Sequence, residues 1–449
     1  MRVIIIGAGK IGFNIAKILV QEKHDVIVIE KDEERAKILM ESLDIQVIIG
    51  NGASSSVLRE AGINEANLVV AVTEIDEVNM IACMLAKNFS VDKTVARVRN
   101  PEYLEDNPEQ SKRVLPGIDL VINPELVTAK EIAKLIDVPE ALDVVYYGNG
   151  KIQLLELKIT AEAPVANKYI KDLKFNYPYL IVSIFRAGKM MIPRGDDKLL
   201  ANDIIFILAK TKEMIRIERL LGTEREKAER VMVLGGGFTG YHLARILEER
   251  KYKVTIIEKD YNRCLDLSNK LQNTLVIHGD ATDIDLLKTE SAEDADIFVC
   301  LTDDDKLNLL VSLIVKNLGT KRTIAQVRRS DYISLMQSVG IDVGISPRTL
   351  TANAILRFIN KGNNVLSVTL LSNESAEMLE FIVQPDSKII NSKLRELNFP
   401  SGAILGSIFR KNQVIIPKGD DVILPGDMVT VFVLPKNKLR VLEYLNVEK

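Results

Sequence analysis

Runs of four or five apolar, mostly β-branched residues alternate along the chain with stretches in which apolar positions recur every three or four residues. Val3–Ile6, Val26–Ile29, Leu68–Val72 and Val95–Val98 are of the first kind, and Ile11–Leu19 and Val78–Lys87 of the second. Apart from Arg97, the strand-like runs are apolar throughout rather than at every other position, which is what burial on both faces of a sheet requires. Alternation with helical segments predicts a parallel sheet covered by helices on both sides.

The pattern then occurs a second time. Arg2–Leu19 (RVIIIGAGKIGFNIAKIL) matches Arg230–Leu247 (RVMVLGGGFTGYHLARIL), and Val26–Asp32 matches Val254–Asp260. Further on, Leu68–Asn79 matches Ile297–Asn308, and Thr94–Tyr103 matches Thr323–Tyr332. The tails repeat as well, Ser183–Leu208 (SIFR, then IPRGDD) against Ser407–Val433 (SIFR, then IPKGDD). Self-similarity on this scale predicts tandem copies of one unit. Each is expected to be α/β, a Rossmann-type doubly wound parallel sheet followed by a small α+β lobe. The expected domains are 1–122, 138–221, 229–345 and 362–449, with the joint between copies at Gly222–Arg230 and a longer loop in the first copy around Glu105–Gln110. Asn123–Ile136 and Ser346–Ile359 each begin with a capping residue and a proline and then show helical spacing, so they are expected to be linking helices. Their apolar residues would serve either a domain core or a dimer face. Each lobe should hold short strands; in the first, a hairpin around Gly148-Asn149-Gly150, a helix near Val165–Leu173 and a turn at Gly195-Asp196-Asp197 are expected.

Charge narrows the function. With 59 Lys+Arg against 62 Asp+Glu over 449 residues, the net charge of −3 supplies no basic footprint for nucleic acid or an anionic membrane. No apolar run approaches the roughly 18 residues of a membrane span, and no export signal is visible, so a cytoplasmic location is expected. Cys83, Cys264 and Cys300 form no CxxC pair and are expected to be buried thiols. His24, His242 and His278 share no metal-ligand spacing, and no metal site is expected.

The chemistry-bearing residues lie where strands end. Gly7-Ala8-Gly9-Lys10-Ile11-Gly12 follows a strand and opens a helix, and Gly235, Gly237, Phe238, Thr239 and Gly240 repeat the arrangement. In such a turn the first glycine permits the bend, the second lets a diphosphate approach the backbone and the third lets the helix pack closely. Glu30 and Glu258 stand eighteen residues beyond Gly12 and Gly240, at the end of the second strand, where a carboxylate grips ribose hydroxyls and repels a 2′-phosphate. NAD(H) is therefore expected over its phosphorylated counterpart. Asn51 with Gly52, and Asp280 with Ala281, follow the next strand, and Thr73 and Thr302 the one after; these are assigned to the adenine and ribose side. Arg99 and Arg328 end the following strand and are assigned to phosphate, whereas Arg97 faces Gln326 in the second copy and is the poorer candidate. Lys10 gives only the first turn a cation, since Phe238 takes its place in the second.

This series, with the lobe motifs Ile192-Pro193-Arg194-Gly195-Asp196 and Ile416-Pro417-Lys418-Gly419-Asp420, resembles the TrkA family of potassium-uptake regulators, built of tandem RCK (KTN) domains. The resemblance covers nearly the whole chain. It implies a non-enzymatic cytoplasmic subunit that assembles with itself, as a dimer or tetramer forming a ring, beneath a TrkH/TrkG-type membrane potassium-translocating subunit. It also implies binding of NAD(H), and of ATP or ADP. The alternative is an NAD-dependent dehydrogenase, which the fold alone permits; a third reading makes the lobes sensors of a small ligand.

Overall fold

A computed structural model describes residues 1–21, 23–100, 103, 115–138, 140–222, 228–329, 332–359, 365–371 and 376–445. The loop around Glu105–Gln110 and most of the joint after Gly222 lie outside the described residues.

The first repeat opens with β1 (Arg2–Ile6), α1 (Lys10–Gln21), β2 (Asp25–Glu30), α2 (Glu33–Ser42), β3 (Gln46–Ile49), α3 (Ser55–Glu60), β4 (Leu68–Ala71), α4 (Asp76–Asn88), β5 (Lys93–Arg97) and β6 (Leu120–Ile122). The strands pair in parallel in the order β3-β2-β1-β4-β5-β6. The order reverses beside β1, which is the doubly wound topology and leaves a crevice at the carboxyl ends of β1 and β4. Val3, Ile4, Ile5 and Ile6 are all buried, as are Leu68–Ala71, so both faces of the central strands are covered. Helix α2 escaped the periodicity reading because its sequence, EERAKILMES, is mostly polar and buries only Ala36 and Leu39. What marks its start is a cap: the Asp32 carboxylate accepts from the Arg35 amide at 3.0 Å.

Helix α5 (Pro124–Asp137) leads to the first lobe, with β7 (Ala141–Tyr147), β8 (Ile152–Lys158), β9 (Tyr179–Arg186), β10 (Lys189–Met191), β11 (Ile204–Lys210) and α6 (Thr211–Leu221). Its antiparallel sheet runs β10-β9-β11-β8-β7. The β7–β8 turn falls at Gly148-Asn149-Gly150, all three at positive φ. Val165–Leu173 is not a helix. Asn167 is left-handed at φ 63, and three amides of the segment go to the neighbouring loop: Asn167 N–H to Leu199, Ile170 N–H to Asp197 and Lys171 N–H to Gly195. Only a single 3₁₀ turn, Ile170–Asp172, remains. Beneath that loop Arg186 donates to both oxygens of the buried Asp203 carboxylate at 2.7 Å, and Arg410 does the same for Asp427 in the second lobe. Gly222, at φ 90, ends α6.

The second repeat follows the same plan. Its large half comprises β12 (Arg230–Leu234), α7 (Phe238–Glu249), β13 (Lys253–Glu258), α8 (Tyr261–Lys270), β14 (Thr274–His278), α9 (Ile284–Thr289), β15 (Ile297–Cys300), α10 (Asp305–Leu318), β16 (Arg322–Gln326), α11 (Tyr332–Ser338) and β17 (Val343–Ile345). The sheet order is β14-β13-β12-β15-β16-β17. Helix α12 (Pro347–Ile359) leads to the second lobe, β18 (Val365–Leu371), β19 (Ala376–Ile382), β20 (Ala403–Arg410), β21 (Gln413–Ile415), β22 (Met428–Val433) and α13 (Lys438–Tyr444). Phe206 and Phe432, Leu208 and Met378, Tyr147 and Ile416 share one buried cluster, so the two lobe sheets pack on each other, joined by the Gly148 N–H donating to Glu380 at 2.9 Å. Among the described residues no helix is long and apolar enough to cross a membrane. All three cysteines are buried, and burial pushes the Cys83 and Cys300 thiols up to about 12.

The chain divides into two compact units that do not coincide with the repeats. One is Met1–Ala129 with Val327–Arg329 and Ser346–Phe358; the other is Lys130–Gln326 with Ser330–Ile345 and Ile359–Lys449. The linking helices are thus exchanged. In the first unit Lys93, opening β5, lies 5.9 Å from the ring of Phe358 at the end of α12. In the second, Arg322, its counterpart opening β16, is 8% exposed and donates to the carbonyls of Leu135 (3.0 Å), Val138 (3.2 Å) and Ala141, the end of α5 and the start of β7. Arg250 and Tyr252 add bonds to Asp137. The apolar stripes of the linking helices, including Ile132, Ile136, Ile355 and Leu356, are buried within the chain.

Two stability predictions follow from these contacts. Replacing Arg322 by Met strands three buried carbonyls and should lower the unfolding free energy by about 3 kcal/mol, read from a denaturant midpoint. Burial, with the cations Arg245 and Lys130 nearby, holds the His242 imidazole down at about 4 from its ordinary 6.5. The unfolded chain therefore takes up a proton that the folded chain refuses, and stability should fall as pH drops from about 6.5 toward about 4, by roughly 2 kcal/mol. His242→Phe should flatten that slope.

Candidate functional site

The glycine turns have the same geometry in both repeats. Gly7 and Gly235 sit at φ 102 and 101, a conformation that costs other residues dearly. A β-carbon on Gly12 would stand 1.9 Å from the Gly7 carbonyl oxygen, and one on Gly240 2.1 Å from that of Gly235, so helix and turn touch only because both lack side chains. Gly9 and Gly237 differ: a β-carbon there meets no atom within 4 Å. The middle glycine of each turn thus faces open space at the start of α1 or α7, where unpaired amides and the positive end of the helix dipole favour an anion.

Beside each turn stands its glutamate. Glu30, buried, accepts from Ala8 N–H at 2.5 Å with one oxygen and from Lys31 and Asp32 N–H at 2.8 and 3.0 Å with the other. Glu258, half-buried, accepts from Gly236 N–H at 2.7 Å and from Asp260 N–H at 2.9 Å. The parallel ladder that pairs Ile6 with Ile29, and Leu234 with Ile257, sets this spacing, because the first and second strands end side by side.

The next loops bring the remaining candidates to the same edge. Asn51 accepts from Ala53 N–H at 3.0 Å, and Asp280 from the amide and hydroxyl of Thr282 at 2.9 Å each. Those two bonds from Thr282, backbone first, hold the Asp280 carboxyl below the usual carboxylate range. Gly52 packs under the end of β1: a β-carbon there would lie 2.1 Å from Ile6 Cγ2. Its counterpart Ala281 is buried in the second repeat, where Leu234 replaces Ile6. Thr73 and Thr302 lie two residues past the ends of β4 and β15, each tied to an asparagine that the sequence reading does not single out. Asn79 Oδ1 accepts from the Thr73 amide (2.8 Å) and hydroxyl (2.7 Å), while its Nδ2 donates to the carbonyls of Thr73 and Arg97. Asn308 does the same for Thr302 and Gln326. Both asparagines are fully buried and lock the adjacent strand ends together; their recurrence in EVN and KLN was the available signal.

The two arginines near the end of β5 take different partners. Arg99 Nε donates to Glu125 at 2.7 Å at the start of α5, while Arg97, ranked lower, reaches the Thr73 carbonyl with Nη1 at 3.1 Å. The Arg99 amide is held by Asp76 at 2.8 Å. Arg328 is exposed just past β16. Lys10 is exposed at the first helix start, beside Ile11; Phe238 is 41% exposed at the second, beside the buried Thr239. Arg263, not singled out from sequence, lies against the second turn, its guanidinium 5.8 Å from the Phe238 ring centroid.

Residues 3–124 and 231–347 match the TrkA-N domain, and residues 154–222 and 378–446 the TrkA-C domain. The chain is 39% identical over 440 residues to the Trk system potassium uptake protein TrkA homolog 1 of Methanosarcina mazei, covering 96% of this chain and 97% of that protein. It is 35% identical over 452 residues to the Trk system potassium uptake protein TrkA of Halomonas elongata, covering 99% and 98%. Among solved structures, the GsuK channel bound to NAD superposes with a TM-score of 0.64 over the whole chain and 79% of the channel chain, at 16% identity, a likeness of fold. With both domain types present twice, in order, and relatives aligned end to end, the chain belongs to the TrkA family as a tandem RCK protein.

Proposed function

We propose that this chain is the cytoplasmic regulatory subunit of a potassium-uptake system, binding one adenine nucleotide at each of its two glycine turns and passing the occupancy to a TrkH/TrkG-type membrane subunit that carries the ion. The observation that carries the reading is the doubled cradle: open space over Gly9 and Gly237, a helix start behind each, and a carboxylate fixed beside it. The large halves, 1–122 and 229–345, would hold NAD(H), ATP or ADP. In the first, Gly7, Gly9, Lys10, Ile11 and Gly12 would take the diphosphate, Glu30 the sugar, Asn51, Gly52 and Thr73 the adenosine side, and Arg99 a phosphate. In the second, Gly235, Gly237, Phe238, Thr239 and Gly240 would play the first part, with Glu258, Asp280, Ala281, Thr302 and Arg328 the others. The names of the aligned relatives supply the transport context, and the GsuK channel, similar in fold, has been seen with NAD.

Regulation requires no bond to be made or broken. It requires that nucleotide bind two arrangements of the assembly unequally, since equal affinity shifts nothing. Exposed apolar residues at matching repeat positions, Ile81 on α4 and Leu310 on α10, with Leu335 on α11 and Val339 just past it, support self-assembly of the chain into a ring.

Titration calorimetry on the full chain should show NADH or ATP binding below millimolar concentration, with no NADH consumed over hours in the presence of ketones or keto acids. Gly9→Asp or Gly237→Asp, each placing a carboxylate where the phosphates approach, should weaken its own site about 100-fold, roughly 3 kcal/mol, and leave the other intact. Failure of both nucleotides to bind at 1 mM (on the order of −4 kcal/mol) would overturn the reading, and NADH turnover would favour a dehydrogenase. Ile81→Asp combined with Leu310→Asp should shift the chain to a smaller assembly by light scattering.

A further inference from the structure

The first turn of the helix after the sugar-side strand carries an arginine in both repeats, Arg35 in α2 and Arg263 in α8. Both have their backbone amide capped by an aspartate, at 3.0 Å from Asp32 and 2.8 Å from Asp260. The side chains then part company. Arg263 folds back on the glycine turn: Nε donates to the Gly236 carbonyl at 2.6 Å, Nη2 to that of Gly237 at 3.4 Å, and Nη1 to the Asp266 carboxylate. Arg35 is exposed, and its guanidinium makes no hydrogen bond or ion pair among the described residues.

Two replacements account for the difference. Where the second turn has Phe238, the first has Lys10; where α8 has Asp266, α2 has Ile38, which is exposed. In the second repeat an aromatic face attracts the guanidinium and a carboxylate one turn along the helix orients it. In the first, a second cation at the turn would repel Arg35, and Ile38 offers no acceptor.

We propose that Arg263 is the phosphate-receiving cation of the second nucleotide site, standing where Lys10 stands in the first; the assignment rests on the nucleotide-binding reading above. Of the five N–H groups of the guanidinium, three are spent on Gly236, Gly237 and Asp266. Two are left to donate to a phosphate oxygen. The group is already fixed on the rim of the cradle, so its ordering is complete before the ligand arrives. Lys10, by contrast, is exposed, and an ammonium acts on phosphate as a point charge rather than a fork. The two sites therefore differ in kind: the first holds phosphate through a screened lysine, the second through a partly buried, pre-oriented fork that salt screens less.

The test is calorimetry with ADP on the full chain. Gly9→Asp isolates the second site and Gly237→Asp the first. In the Gly9→Asp background, Arg263→Gln should weaken ADP about tenfold, Arg263→Lys should recover most of the loss, and the affinity should fall less steeply with added NaCl than in the Gly237→Asp background. At the first site Lys10→Gln should cost about tenfold, and Arg35→Gln less than twofold. Affinity within twofold for Arg263→Gln would overturn the assignment. So would a loss that Arg263→Lys leaves unrepaired while the unfolding midpoint drops, the mark of a purely structural arginine. If Gly9→Asp binds no ADP at 1 mM with Arg263 intact, both this assignment and the nucleotide reading of the second half are overturned.

Discussion

No side chain fits where the first helix of each repeat meets the turn that precedes it. The 1.9 Å and 2.1 Å separations that β-carbons on Gly12 and Gly240 would have from the carbonyl oxygens of Gly7 and Gly235 force bare backbone at the third glycine. Everything functional is downstream of that approach. It aims the starts of α1 and α7 at the space over Gly9 and Gly237. The parallel register of the first two strands then brings Glu30 and Glu258 within hydrogen-bond reach of the same turns. A helix dipole, free amides and a carboxylate at fixed spacing are thereby built by packing, with no dedicated loop.

The duplication lets each half serve as a control for the other. What recurs unchanged is scaffold: the three glycines, the capping aspartates Asp32 and Asp260, and the asparagines Asn79 and Asn308 that tie adjacent strand ends. What changes sits on the rim, Lys10 against Phe238, Ile38 against Asp266 and Asn51 against Asp280. A common cradle with different rims is the arrangement expected if the two halves read different nucleotides or read one nucleotide at different strengths. The linking helices are exchanged between the repeats. Arg322 and Lys93 occupy equivalent strand starts, and each meets the end of the helix that the other repeat contributes.

Much of this could be read from the sequence because its signals are local. Doubly covered strands announce themselves as unbroken apolar runs, and the glycine turn and its distant glutamate are tied by a fixed strand and helix length. The readings that failed depended on partners far along the chain. Val165–Leu173 has helical spacing, yet Asn167 turns left-handed because residues 195–199 supply its hydrogen bonds. Arg263 looked like any polar residue on a helix, since what pins it is a phenylalanine in the preceding turn. The exchanged helices leave no local trace at all.

The central claim is that two bare turns each hold a diphosphate while the neighbouring carboxylate holds the sugar. A crystal structure of the full chain grown with NADH or ADP tests it directly. The account predicts phosphate density against the amides at the starts of both α1 and α7, with Glu30 and Glu258 turned from the amides of Ala8 and Gly236 to ribose hydroxyls. Nucleotide absent from both turns at saturating concentration, or seated elsewhere with both carboxylates still bonded to those amides, would contradict it.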